Sequence, residues 1–261
     1  MDDLEFVRDL YGRPRPGPDA RARVWRRVTA KRRRRRLSWL AVPVAALVLA
    51  LAFAVRPAPP YTDISGGRAI LLSAATRAAS TSASSGPYWH VEKELDGSKV
   101  IELWASRDGR AWRSENGEIE PVTSPFSMGG RDLTFRQIES LPAEPAALKA
   151  RVTAMLPPGS EGLLADALSG LLWTKPSAPG VRAAAYRALA DLPEVRYLGP
   201  GKDTWGRAGE AFSFGLPSGV QRTLIINPAT SQVLSSADSG PDGRSEIVLG
   251  AGWTDRGPDL P

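Results

Sequence analysis

The sequence predicts an α+β fold standing outside a membrane, carried by a single N-terminal transmembrane helix. Three observations predict it: a charge-free apolar run directly behind a block of basic residues, Asp-Gly turns between strand-like runs, and the segregation of helical from strand-like segments. The folded part is expected to be an antiparallel curved sheet packed with helices.

The apolar run is Leu37–Val55, with Leu37, Trp39, Leu47, Leu51 and Val55 distributed along its length. At 1.5 Å per residue a helix of this run spans about 28 Å, close to the bilayer hydrocarbon thickness. A helix also satisfies all its backbone polar groups internally, as lipid requires, and Pro43 is tolerable there. Trp39 falls at the depth of an interfacial aromatic. Lys31, Arg32, Arg33, Arg34, Arg35 and Arg36 abut the run on one side, and only Arg56 lies near the other end. The positive-inside bias places the N-terminus in the cytoplasm and the C-terminal domain outside. The competing reading is a cleaved signal peptide, because Ala52-Phe53-Ala54 resembles a small-residue cleavage site. The long basic stretch ahead of the run favours an uncleaved anchor.

Charge supports the same division. The chain has 261 residues and a formal net charge of +6. Residues 1–36 hold 13 Lys and Arg against 5 Asp and Glu, and the remainder is close to neutral. The basic excess therefore belongs to a membrane flank, whose expected partner is the anionic bilayer surface and not nucleic acid. Cysteine is absent, which excludes disulfides, thiolate metal sites and cysteine nucleophiles.

Within residues 1–36, Leu4, Val7 and Tyr11 share one helical face, and Phe6 and Leu10 are four residues apart. Gly12–Gly17 breaks the pattern, and a second helical stretch runs through Val24, Trp25 and Val28. These patches read either as anchors for a cytoplasmic protein partner or as a tail lying on lipid. Residues 56–66 read as an extended linker, 67–254 as the extracytoplasmic domain and 255–261 as a disordered C-terminus.

The outer domain opens with a helix over Arg68–Ala79. Strands at Tyr88–Leu95, Lys99–Arg107 and Arg110–Glu115 follow, joined at Asp96-Gly97 and Asp108-Gly109. Two-residue loops would set Trp89 opposite Trp104, Glu94 opposite Lys99, His90 opposite Leu103 and Trp112 opposite Ala105. Helices are expected at Pro145–Leu156, from a Ser160 cap through Leu172, and at Pro179–Leu192. Strands return at Val195–Leu198, Ala208–Phe214, Val220–Ile226, Gln232–Ala237 and Glu246–Ala251.

The chain resembles a family of uncharacterised actinobacterial single-pass membrane proteins. The resemblance lies in the opening Leu4-Glu5-Phe6-Val7-Arg8-Asp9-Leu10, in Tyr88-Trp89-His90-Val91 with Glu102-Leu103-Trp104 and Arg110-Ala111-Trp112-Arg113, and in Asp191–Val195 leading to Arg222–Pro228. The order of elements in the outer domain also resembles the half-barrel of the LolA and RseB type. That likeness implies a lipid or lipoprotein ligand, or regulation of an anti-sigma factor, by analogy of fold alone.

No catalytic constellation is legible. His90 is the only histidine, which excludes a multi-histidine metal site, and no Gly-x-Ser-x-Gly elbow exists. Gly199-Pro200-Gly201-Lys202 fails the phosphate-loop pattern, since Arg196 and Asp203 stand where Gly and Ser or Thr are required, and it reads as a turn. Glu92, Glu94 and Glu102 read as solvated strand charges, with Glu102 on the face opposite the other two. Trp89, Trp104 and Trp112 are the candidate ligand-lining or core aromatics. The expectation is a non-enzymatic, cofactor-free protein: a sensing or binding domain coupled to a short tail, or a tethered lipid or lipoprotein binder, with an extracytoplasmic enzyme as the third alternative.

Overall fold

The computed structural model describes residues 64–82, 85–241 and 243–259. All fall in the second of the two units into which the chain divides, Tyr61–Pro261. The basic flank Lys31–Arg36 and the apolar run Leu37–Val55 lie outside the described residues. Among the described residues no helix is long and apolar enough to cross a membrane.

The fold is α+β. Helix α1 (Ile64–Ser80) precedes strands β1 (Tyr88–Leu95), β2 (Lys99–Ser106), β3 (Ala111–Glu115) and β4 (Glu118–Pro121). A small hairpin follows, β5 (Phe126–Met128) and β6 (Arg131–Leu133), then α2 (Phe135–Glu139), α3 (Pro145–Met155), α4 (Leu164–Gly170) and α5 (Pro179–Ala190). Five strands complete the chain: β7 (Arg196–Lys202), β8 (Ala208–Gly215), β9 (Gln221–Asn227), β10 (Gln232–Asp238) and β11 (Ser245–Thr254). Helix α1 begins three residues inside the stretch expected to be linker.

One antiparallel sheet takes nine strands in the order β4-β3-β2-β1-β11-β10-β9-β8-β7. It is open, with β4 and β7 at its edges. The first four strands form one half and the last five the other. They meet because β11 pairs with β1 along its length, from Tyr88 opposite Thr254 to Leu95 opposite Glu246.

Helices cover one face. Leu71, Ala74, Ala75 and Ala78 of α1 and Val181, Ala184, Ala185 and Ala188 of α5 are all at most 3% exposed. Alanine at these positions lets the two helices approach closely. Arg68 near the start of α1 pairs with Asp191 after α5, so the helices run antiparallel. Gly67 permits the contact with the sheet: a Cβ there would stand 2.4 Å from the Cβ of Tyr197 in β7. Trp89, Val91, Phe212, Phe214, Leu224, Ile226, Val233 and Val248 supply the sheet side of this core. The Tyr186 hydroxyl, fully buried, donates to the Ser231 carbonyl at 3.0 Å and ties α5 to the β9–β10 turn.

Within the second half, the seam between β10 and β11 is only partly zipped. Strand β10 pairs with β11 at three positions, Ser235 with Ile247, Ser236 with Glu246 and Ala237 with Ser245. Beyond them the strands part, and Arg207 from the β7–β8 loop takes over. Its guanidinium donates to the Val248 carbonyl at 2.9 Å, the Leu234 carbonyl at 2.8 Å and the Asp203 carboxylate at 2.6 Å. The Asp203 side chain is fully buried and also accepts from the backbone N–H groups of Trp205 and Arg207.

Both hairpin registers differ from expectation by one residue. Leu95 pairs with Lys99, and past the Ala105–Ala111 pair the Ser106 N–H donates to the Arg110 carbonyl, so each loop holds three residues. In the first, Asp96 is drawn towards β11: its N–H donates to the Ser245 carbonyl and its carboxylate accepts from the Ser245 N–H. In the second, Gly109 takes a positive φ of 92° and Asp108 accepts from the Ser106 hydroxyl and the Arg110 N–H, closing a three-residue turn. A one-residue slip moves every side chain to a new partner. Trp89 thus faces Ala105, while Trp104 faces His90 on one side and Trp112 on the other, and Glu94 faces Val100. Glu92 lies directly opposite Glu102, on the same face and not the opposite one. Gly199–Lys202 is not a turn but most of edge strand β7, where Pro200 needs no ladder partner on its open side. A bulge at Leu198 and the positive φ of Gly199 absorb the irregularity.

The seam clamp should dominate the ion pairs in stability. Arg207→Ala leaves a buried carboxylate and two carbonyls without their donor and should cost about 3 kcal/mol. Arg68→Ala, which removes a solvent-exposed pair, should cost under about 1 kcal/mol. Chemical denaturation of both variants beside the parent chain tests the order; equal losses would show that the seam does not depend on Arg207.

Candidate functional site

The parting of β10 from β11 leaves a cavity of about 360 Å³ between the sheet and the start of α5. Val233, Val248 and Ala251 form its sheet side, and Trp89 and Trp253, packed edge to face at 5.8 Å, form one wall. Leu172 and Trp173, which follow α4, form another. The β9–β10 turn contributes Thr230, Ser231 and Gln232. Arg107 and Glu139 pair at the rim, with the Arg107 guanidinium 3.9 Å above the Trp253 ring.

The polar inventory of this cavity is unbalanced. Three buried side-chain polar atoms have no hydrogen-bond partner among the described residues: Trp89 Nε1, Ser177 Oγ and Arg182 Nε. All three residues line the cavity. Leaving such atoms unpaired costs about 1–3 kcal/mol each. Arg182 forms no ion pair among the described residues, and its burial pulls its pKa below the usual arginine range. Ser177, Ala178 and Pro179 bring the N-terminus of α5 to the same place. Ala178 stands at the N-cap and no side chain caps the helix.

A second cavity of about 320 Å³ lies beyond Trp173, which lines both. Lys175, 7% exposed, sits here, and among the described residues its ammonium donates only to the Thr174 hydroxyl, at 3.2 Å. Burial pushes its pKa down to about 8, against the opposing pull of the Asp166 charge. Arg222 crosses this region with two bonds to Asp238, at 2.7 and 2.8 Å, and one to Asp166. Those hydrogen bonds hold its pKa above the usual arginine range despite burial.

The three candidate tryptophans are divided between the faces of the sheet. Trp89 lines the first cavity and is 3% exposed. Trp104 and Trp112 stand on the other face, outside the helix-covered core. There Trp104 stacks on His90 at 4.8 Å, and His90 Nε2 meets Glu102 at 3.0 Å. Trp112 packs edge-on against Tyr88 at 6.2 Å. Among the described residues no three His, Asp or Glu side chains gather as a metal site. Sequence reading missed Ser177, Arg182, Trp173 and Trp253. One signal was available: Ala178-Pro179 opens a helix without the Ser, Thr, Asp or Asn that ordinarily caps one.

Lys175 should make stability rise with pH. Its folded pKa lies below the unfolded value of 10.5, so the unfolded chain binds more protons between about pH 8 and 10.5. The penalty is complete below pH 8 and fades as pH approaches 10.5. Each tenfold change in proton affinity is about 1.4 kcal/mol, so the penalty is roughly 3 kcal/mol. Lys175→Met should be the more stable protein at pH 7, and the difference should close towards pH 10.5. Thermal unfolding across that range checks it; a pH-independent difference would assign the effect to packing.

No family model matches the chain, and none of the curated proteins compared with it matches either. Among solved structures it is similar to LprF from Mycobacterium bovis, with 12% identity and a TM-score of 0.31, over 74% of this chain and 97% of that one. A likeness at that TM-score carries no argument about function.

Proposed function

We propose that this chain is a membrane-anchored binding protein whose outer domain holds a small amphipathic ligand of the lipid class in the cavity at the β10–β11 seam. The carrying observation is the cavity itself: aromatic and aliphatic walls beside a cluster of unpartnered polar groups. Ligand sites commonly occupy about 300–1,000 Å³ and combine apolar walls with a few placed polar groups. A volume of about 360 Å³ suits a single chain or a compact amphiphile better than a multi-chain lipid. The role is non-enzymatic. The basic flank Lys31–Arg36 and the apolar run Leu37–Val55 support an anchor with the N-terminus in the cytoplasm.

The binding test uses the full-length chain held in amphipol and a polyene fatty acid whose absorption overlaps tryptophan emission. Trp89, Trp173 and Trp253 line the cavity, so bound probe should quench them saturably. Ala251→Phe, which fills the cavity from β11, should weaken binding at least tenfold with little change in unfolding temperature. Unchanged binding in that variant would remove the cavity from the proposal. The anchor is tested separately by protease protection in intact cells, with tags at both ends. A C-terminal tag cleaved from outside beside a protected N-terminal tag is expected; the reverse pattern would overturn the topology.

A further inference from the structure

We propose that the start of α5 is an anion-binding subsite, so that the ligand carries a carboxylate or phosphate group read by Arg182, Ser177 and the helix N-terminus. The inference rests on the cavity being a ligand site and names the chemical class of that ligand.

Charge accounting carries the first step. Four charged side chains line the cavity: Arg107, Glu139, Arg182 and Arg207. Arg107 pairs with Glu139, and Arg207 pairs with the buried Asp203. Arg182 has no carboxylate partner among the described residues, so the cavity carries one uncompensated positive charge in a partly desolvated place. A neutral ligand would leave that charge as it stands, and a cationic one would be repelled.

Donor geometry carries the second. The helix α5 has twelve residues, begins at Pro179 and has no side-chain cap. Pro179 has no N–H to offer the cavity, so this end contributes the positive end of the helix dipole, which favours an anion. Ser177 stands two residues before the helix, is 5% exposed, and its hydroxyl has no partner. Trp89 is 3% exposed and its indole N–H is likewise unpartnered. Indole and guanidinium can only donate, and the hydroxyl can donate as well. The one carboxylate on the lining, Glu139, is engaged by Arg107. The groups left over are thus donors in search of acceptors, as a carboxylate or phosphate provides. The apolar walls accept the rest of the molecule.

The test compares dodecanoate, dodecanol and inorganic phosphate on the full-length chain in amphipol, read by tryptophan fluorescence and calorimetry. In the parent chain dodecanoate should bind at least tenfold more tightly than dodecanol, and millimolar phosphate should compete with dodecanoate only. Arg182→Gln should reduce the preference to under threefold by weakening dodecanoate alone. Ser177→Ala should weaken dodecanoate by a smaller factor, and it serves if Arg182→Gln does not fold. Without ligand, the unfolding temperature of Arg182→Gln should equal or exceed that of the parent, because an unpaired buried charge is gone. Equal affinities for the two chains in the parent, or a preference that survives both substitutions, would overturn the subsite and leave the cavity as a ligand site. Failure of both amphiphiles to bind, with phosphate still binding through Arg182, would keep the subsite and refute the lipid-class ligand. Failure of all three probes would overturn both.

Discussion

The Arg207 guanidinium is the interaction on which the rest of this domain depends. The two halves of the sheet meet along β1 and β11, which pair along their length, but β11 is zipped to β10 at three residue pairs only, and that second seam joins β7–β10 to the other strands. Past those three pairs, backbone carbonyls of β10 and β11 would face each other without donors. Arg207 supplies two donors to those carbonyls while its third direction is held by a buried carboxylate. Planarity and fixed donor spacing suit arginine to this task, and lysine would offer a point charge with no such fork. The side chain thereby substitutes for ladder bonds and lets the strands stay apart without exposing unpaired backbone.

Space between the strands is the consequence. The cavity exists because β10 and β11 do not close on each other, and α5 lies over the gap with its uncapped end. The cavity is costly to keep. Among the described residues it leaves three polar atoms unpaired and one arginine partly desolvated. The helix core offsets that cost: α1 and α5 pack through alanines, and Tyr186 ties α5 to the turn before β10. Stability and an unsatisfied site are therefore carried by the same helix.

Much of the architecture was legible in periodicity and turn residues. The helices over Pro145–Met155 and Pro179–Ala190 begin at prolines, where a missing N–H does no harm, and the sequence predicts both starts. The longer strands were legible from alternation, and the segregation of helices and strands from their order, while the short strands β4, β5 and β6 and most of β7 were not. Register was not. Asp96-Gly97 and Asp108-Gly109 each permit two-residue or three-residue loops, and bonds from Asp96 to Ser245 and from Asp108 to Ser106 and Arg110 select the longer one. That single residue decides that Trp104 meets His90 and Trp112 while Trp89 meets Ala105.

The sequence by itself determined the longer helices and most of the longer strands, that the folded part is α+β, and that its basic excess lies in residues 1–36. These follow from local rules: side-chain period, turn chemistry and the charge of neighbouring residues. Only the tertiary structure decided the site. Trp89 and Trp253 come from the first and last strands, and Trp173, Ser177 and Arg182 from the loop before α5 and the start of that helix. Nothing local in the chain ties the two groups together. What does is the pairing of β11 with β1 across more than 150 residues of sequence, and a seam held open by one arginine whose partners are backbone carbonyls, which no side-chain pattern reveals.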